Sequence, residues 1–98
     1  MFIAACRIEL ELPESSSLKD KRQVLRSLIA RICNKFNVAV AEVDYQSSWR
    51  DAALGCVCVS NSASHARSMA ESIVAYVDET RMDAITGSVA VEVVAVLE

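Results

Sequence analysis

Hydrophobic residues recur with two different periods along this chain, and the order of those periods restricts the folds that it can adopt. From residue 2 to residue 12 every second side chain is apolar, which predicts a strand with one buried face. After a serine-rich connection the spacing becomes helical, from Leu18 to about Phe36. Ser17 precedes this segment as an N-cap, and Asp20 completes a variant of the capping box. The first third of the chain therefore predicts a strand followed by a helix.

The rest of the sequence extends this pattern to six elements. Two strands are predicted over residues 38–45 and 52–60. A second helix follows, from residue 61 or 62 to about residue 80, and a valine-rich last strand covers residues 83–98. The short link between the two middle strands makes them antiparallel neighbours. The order β-α-β-β-α-β is typical of a ferredoxin-like α+β sandwich. We therefore expect a four-stranded antiparallel sheet of order 4-1-3-2 with both helices on one face, and a single domain over residues 1–98.

Composition excludes several classes of protein. Apolar residues make up 53% of the 98 residues and charged residues 23%, with two Gly and one Pro, which excludes a disordered or collagen-like chain. The first residues lack the basic and apolar regions of a signal peptide, and no apolar run reaches the roughly 18 residues of a membrane span. We expect a soluble cytoplasmic protein that has no membrane partner.

Positive charge is concentrated in the first predicted helix. Six of the ten basic residues lie there, against one acidic residue, whereas the rest of the chain has four basic and twelve acidic residues. The candidate anion- or RNA-binding residues are Lys19, Lys21, Arg22 and Arg26. Basic side chains near a helix N-terminus oppose the helix dipole, and a bound phosphate would offset that cost. Two alternatives stay open: the charged face is simply solvated, or Lys21 pairs with Glu42 or Asp44.

The last strand carries apolar residues on both of its faces, whereas a strand with one face in solvent normally has polar residues on that face. On the sheet face without helices, this places four apolar residues near one another: Ile3, Ala5, Val94 and Val96. A sheet-to-sheet homodimer is the simplest cover for them. The alternative is a bulge in the last strand that switches its alternation.

No residue pattern indicates catalysis, a metal site or a cofactor. Cys56 and Cys58 lie near Cys6 on the expected neighbouring strand, but a CxC spacing within a strand is not a zinc knuckle, so we interpret these thiols and Cys33 as structural. Glu42 and Asp44 form a close carboxylate pair that has no accompanying base or metal ligand. The chain is therefore not expected to be an enzyme.

Trp49 is the one tryptophan, and it lies in a polar loop beside Arg50. It either folds back on the sheet edge as a plug or anchors a partner. We favour the plug.

Four segments together resemble the YlxP-like family of small bacterial proteins, a domain of unknown function. They are S-L-K-D-K-R at residues 17–22, F-N-V-A-V-A-E-V-D at 36–44, Trp49 followed by Ala52 or Ala53, and Leu54-Gly55 through Val59-Ser60-Asn61. The resemblance implies a ferredoxin-like fold and brings no known reaction. It also implies a role near translation, since family genes commonly lie beside those for translation initiation factor two and ribosome-binding factor A.

Two functional hypotheses result. The first is a binding module that contacts ribosomal RNA or a ribosomal particle through its basic first helix. The second is a homo-oligomer, most simply a dimer, whose open sheet face binds a protein or a small ligand.

Overall fold

The computed structural model describes residues 1–80 and 83–98 and contains the six elements that the periodicity predicts. They are β1 (Phe2–Glu11), α1 (Leu18–Lys35), β2 (Ala39–Asp44), β3 (Asp51–Ser60), α2 (Ala63–Glu79) and β4 (Ile85–Ala95). The strands form one antiparallel sheet of order β2-β3-β1-β4, which is the predicted order counted from the other edge. The ferredoxin-like α+β prediction is thus confirmed.

Alternation along β1 decides which face of the sheet is buried. Ala4, Cys6, Ile8 and Leu10 are all less than 5% exposed, and the residues between them face the other side of the sheet. The buried set meets Leu28 and Ile32 of α1 and Ala66, Ala70 and Ile73 of α2 in one core. Below, the helix face means this covered side and the open face means the opposite side.

Both helices begin at serine caps. The Ser17 hydroxyl accepts a hydrogen bond from the Asp20 amide at 3.0 Å, and Ser62 caps α2 through His65 in the same way. The Asp20 carboxylate reaches back to Ser16, accepting from its amide at 3.0 Å and its hydroxyl at 2.8 Å. These hydrogen bonds stabilise the charged carboxylate, so they hold the pKa of Asp20 below its usual range.

In the part of the sheet that the structure describes, two bulges interrupt the pairing. One lies in β2 at Val43, between the register pairs Glu42–Leu54 and Asp44–Ala53. The other lies in β4 between Thr86 and Val89. No helix within residues 1–80 and 83–98 is long and apolar enough to cross a membrane.

Candidate functional site

The basic residues of α1 divide into an exposed group and one buried residue. Lys19, Arg22 and Arg26 are exposed, and none of them forms a salt bridge within the described part of the chain. Because they are spaced i, i+3 and i+7, they follow one ridge of the helix. Arg22 and Arg26 also line a groove of about 280 Å³ beside β2, together with Leu25 and Ile29. We call Lys19, Arg22 and Arg26 the basic ridge.

Lys21 does not belong to the basic ridge, which corrects the predicted anion-binding set. Its side chain is 1% exposed, and its Nζ donates to the carbonyl oxygens of Tyr45 at 2.8 Å and Asp51 at 3.1 Å. The Nζ also lies 2.9 Å from Oε2 of Glu42. The sequence left open a solvated Lys21 or a pairing with Glu42 or Asp44, and in the structure Lys21 pairs with Glu42. An external polyanion therefore cannot reach this ammonium group.

The buried ion pair between Lys21 and Glu42 affects the charge of the groove that Arg22 and Arg26 line. Glu42 Oε2 is buried and accepts no well-aligned hydrogen bond, so its compensation is the ionic contact with Lys21. A carboxylate so enclosed would otherwise attract the nearest exposed cation. Since Lys21 neutralises Glu42 from inside, Arg22 and Arg26 remain available on the outside, although Glu42 lines the same groove.

The loop between β2 and β3 is fixed at the same end of the molecule as the start of α1. Tyr45 has a φ of 62°, which is unusual for a residue with a side chain, and its carbonyl accepts from both Lys21 and the Ser48 amide. Arg50 donates from Nε to the Ser15 carbonyl at 3.1 Å. These bonds attach one end of the loop to α1 itself, through Lys21, and the other end to the segment that leads into α1.

Trp49 is at the exposed part of this loop and does not fold back as a plug. The residue is 55% exposed, so the plug that we favoured from the sequence is wrong. The bonds made by Tyr45 and Arg50 hold the ends of the loop and leave the indole in solvent. The other role considered for Trp49, the anchor for a partner, stays a prediction.

The two carboxylates that the sequence places close together lie on opposite faces of the sheet. Glu42 points to the helix face, where Lys21 meets it, and Asp44 points to the open face, where Arg7 donates to it at 2.9 Å. The bulge at Val43 causes the switch, since one extra residue reverses the alternation. The pair therefore cannot act on one substrate atom.

Asp44 belongs instead to a network that the sequence did not predict. Arg7 lies 3.1 Å from Glu9, and the Tyr45 hydroxyl donates to the same Glu9 carboxylate at 3.0 Å. The hydrogen bonds with Glu9 and Tyr45 raise the pKa of Arg7. The residues come from two segments that are distant in the sequence, β1 and the end of β2, so only knowledge of the strand register could have revealed the network.

The other half of the open face is apolar. Ile3 and Ala5 are half-buried there, and Val94, the register partner of Ile3, is 49% exposed. Val96 follows β4 and is bonded through its backbone to Met1. The bulge in β4 lies at the opposite end of the strand, so it does not reverse the alternation at Val94.

Three further aliphatic residues continue this apolar area. Val43, Val57 and Val59 are each at least 42% exposed, and they were not among the residues predicted for this apolar area. Between them Gly55 faces a shallow depression of about 330 Å³. A methyl group at Gly55 would lie 2.7 Å from Val43 Cγ1, so glycine lets the bulged strand approach.

The cysteines divide into three buried thiols and one exposed thiol. Cys6 and Cys56 are register partners on the helix face, and Cys58 donates to the carbonyls of Ala4 and Ala66 at 3.8 Å. The hydrogen bond with Cys6, reinforced by burial, raises the pKa of Cys56, and burial raises the pKa of Cys58. Cys33 is exposed on α1. Within the described residues no three His, Cys, Asp or Glu side chains could hold a metal ion together.

Comparison with known proteins gives two matches. A family model described as a protein of unknown function, DUF503, matches residues 3–89. An uncharacterized protein, YlxP, from Bacillus subtilis strain 168 is 33% identical over 77 residues, which cover 79% of this chain and 84% of that protein. The matches confirm the resemblance that the sequence motifs indicated.

Proposed function

We propose that this chain, which belongs to the DUF503 family of proteins of unknown function, is a binding module that contacts RNA phosphates through the basic ridge of α1. The observation that carries the proposal is that Lys19, Arg22 and Arg26 are exposed and outside every salt bridge of the described residues. Exposed cations on one helix ridge bind a polyanion by releasing its counterions.

The position of Trp49 supports single-stranded RNA as the form that is bound. A basic surface that follows the backbone, joined to an aromatic side chain that stacks on a base, is the usual arrangement for such strands. The indole is exposed in a loop attached to the start of α1, where Lys19 and Arg22 lie. Phosphate contacts alone would give weak sequence preference.

We propose binding rather than catalysis because Glu42 and Asp44, the carboxylates closest in sequence, point to opposite sides of the sheet. The proposed location is the cytoplasm, where four free cysteines stay reduced. A ribosomal particle is the proposed form of the RNA partner, in keeping with the gene neighbourhood that the family resemblance implies.

The test is fluorescence anisotropy with a labelled single-stranded RNA at several salt concentrations. Three phosphate contacts give a slope of log affinity against log salt of about −2. Replacing Arg22 and Arg26 with Gln removes about two thirds of that slope and weakens binding at least tenfold. The matched control replaces Arg31 and Arg67, which are exposed elsewhere, and leaves affinity nearly unchanged.

Two results would reject the proposal: no binding at about 50 mM salt, or an equal loss in the two double variants. The same pair of variants applied to sucrose-gradient co-migration with ribosomal subunits, at two salt concentrations, tests the particle as partner. Co-migration that is insensitive to Arg22 and Arg26 would exclude the basic ridge as the contact.

A second candidate is self-association through the open face, and the exposure of Val43, Val57, Val59 and Val94 favours it. Two flat apolar sheet faces can pack on each other as in a sandwich. Replacing Val94 with Asp should then shift sedimentation toward the 10.7 kDa monomer, whereas Asp in place of the exposed Ser72 on α2 should not. A monomer at tens of micromolar before any substitution would remove this candidate.

A further inference from the structure

β4 presents a free edge that is regular over residues 89–95. It is the outer strand of the sheet, and within the described residues it pairs only with β1. From Val89 to Ala95 its register with β1 is unbroken, because the bulge lies before Val89. The segment contains no Pro or Lys, and its one charge, Glu92, lies on the open face. Edge strands are normally blunted by such residues or by bulges, so this edge is a template for an additional strand.

The other edge strand of the sheet, β2, is shorter than β4 and is interrupted by a bulge. β2 has six residues, and the bulge at Val43 interrupts its pairing. Its polar side chain Glu42 is engaged by Lys21. β2 is therefore protected in the usual way, whereas residues 89–95 of β4 contain no bulge, Pro or Lys.

A groove runs beside the free edge on the helix face. α2 does not cover the outer side of β4, and a groove of about 460 Å³ lies between the two elements. Its apolar lining includes Val74 and Ala75 of α2 and Val89 and Val91 of β4. Val89 is 40% exposed although it points to the helix face. A strand added to β4 would place every second side chain in this groove.

The groove carries negative charge along its helical wall. Glu71 and Asp78 line it from α2, and they are exposed and form no salt bridge within the described residues. They are seven residues apart, which is two helical turns or about 10 Å. An extended chain repeats its side chains on one face about every 6.7 Å. Lys or Arg at positions i and i+4, with an apolar residue at i+2, could therefore reach both carboxylates.

We propose that the free edge of β4 and the acidic groove between β4 and α2 bind an extended basic segment of another protein, which adds a fifth strand to the sheet. Backbone hydrogen bonds to β4 provide affinity, and the groove selects alternating apolar and basic side chains. This site is separate from the basic ridge, and it does not depend on RNA binding.

Charge argues against a second copy of this chain as the occupant. Antiparallel pairing of two β4 strands would bring the α2 helices of both copies together on the helix face. Glu71 and Asp78 of one copy would then face the same residues of the other, which is repulsive. A basic peptide in the same position would instead attract Glu71 and Asp78.

The test uses the full chain and a labelled nine-residue peptide that has Val at positions 1, 5 and 9, Lys at positions 3 and 7, and Thr elsewhere. We expect anisotropy to show saturable binding, with shifts confined to the amide signals of residues 89–95 and the groove in an NMR titration. Substituting Glu for both Lys residues should abolish binding. Of two peptides N-methylated at the odd or the even positions, one should lose binding and the other retain it, since only alternate amides face β4.

Replacing Glu71 and Asp78 with Gln should weaken peptide binding roughly tenfold, because two ion pairs are lost. The same change at Glu14 and Glu79, which are exposed outside the groove, should have no effect. The proposal is overturned if the peptide does not bind, if both double variants bind equally, or if β4 instead mediates concentration-dependent dimers. The Arg22 and Arg26 double variant should bind the peptide normally, so failure of the RNA proposal would not affect this result.

Discussion

The Nζ atom of Lys21 lies 2.9 Å from Oε2 of Glu42 and donates to two main-chain carbonyls, so one side chain joins α1, β2 and the β2–β3 loop. The arrangement holds the loop that carries Trp49 against the start of α1. It also removes one cation from the surface and neutralises Glu42, which lines the groove beside Arg22 and Arg26. The binding surface that we propose therefore depends on a buried pair that never touches RNA.

Replacing Lys21 with Met should destabilise the protein strongly. The change leaves the Glu42 carboxylate unpaired and deprives the Tyr45 and Asp51 carbonyls of a donor, so we expect a loss of about 3–5 kcal/mol in the free energy of unfolding by urea. The double variant Lys21→Met with Glu42→Leu should recover part of that loss, because no charge is then left buried.

The control for this prediction is the exposed neighbour Lys19. Replacing Lys19 with Met should change the free energy of unfolding by about 0.5 kcal/mol or less. If Lys21→Met had an equally small effect, the ammonium group would not be holding α1 to the loop.

Periodicity was sufficient to predict the elements, the sheet order and most of the core. The stripe of β1 is buried as expected, and Ser17 caps α1 with Asp20 as its partner. These features are local, since spacing along the chain decides which side chains share a face. The accumulation of charge on α1 could be counted from the sequence in the same way.

The remaining features depend on registers and distances that composition does not determine. The bulge at Val43 puts Glu42 and Asp44 on opposite faces of the sheet, and no residue type in β2 predicts that bulge. Whether Lys21 points outward or inward depends on where the β2–β3 loop lies, which is a tertiary property. Trp49 was misjudged for a similar reason: large aromatic residues are usually buried, but bonds at the ends of this loop hold the indole outside.

Trp49 should behave in solution as an exposed residue. We expect acrylamide to quench its fluorescence in the native protein almost as well as in urea, because the residue is 55% exposed. Replacing it with Ala should change stability by about 0.5 kcal/mol or less, whereas a plug would cost about 3–5 kcal/mol. In the RNA titration the same variant should lose about 1–3 kcal/mol of binding free energy if a base stacks on the indole. If acrylamide quenched Trp49 much less in the native protein than in urea, the interpretation of Trp49 as a plug would be correct after all.

Only one of the four thiols should react rapidly with a thiol reagent at neutral pH. Cys33 is exposed, whereas Cys6, Cys56 and Cys58 are each at most 3% exposed. Their reaction with Ellman's reagent should await unfolding, and the raised pKa of Cys56 and Cys58 further lowers the fraction of reactive thiolate. Cys33→Ser should remove the fast phase alone. Two fast thiols in the wild-type protein would contradict the burial of this cluster.

The Asp20 cap should make part of the stability depend on pH on the acid side. Hydrogen bonds from Ser16 hold the pKa of Asp20 below its ordinary value of 3.8. A carboxyl whose pKa is lowered in the folded state contributes stability above its unfolded pKa, and loses it as pH falls through the folded pKa. Asp20→Asn should therefore lower the urea midpoint at about pH 6, and the difference from wild type should disappear at pH values well below the ordinary carboxyl pKa.

A matched variant separates this effect from a general loss of negative charge. Glu14 is exposed just before α1, so Glu14→Gln removes the same charge in the same region without touching the cap. Its urea midpoint should follow that of the wild type across the acid range. If the difference between Asp20→Asn and wild type were constant with pH, the lost contribution would come from side-chain shape rather than from the ionised carboxylate, because only a group with different folded and unfolded pKa values links stability to protons.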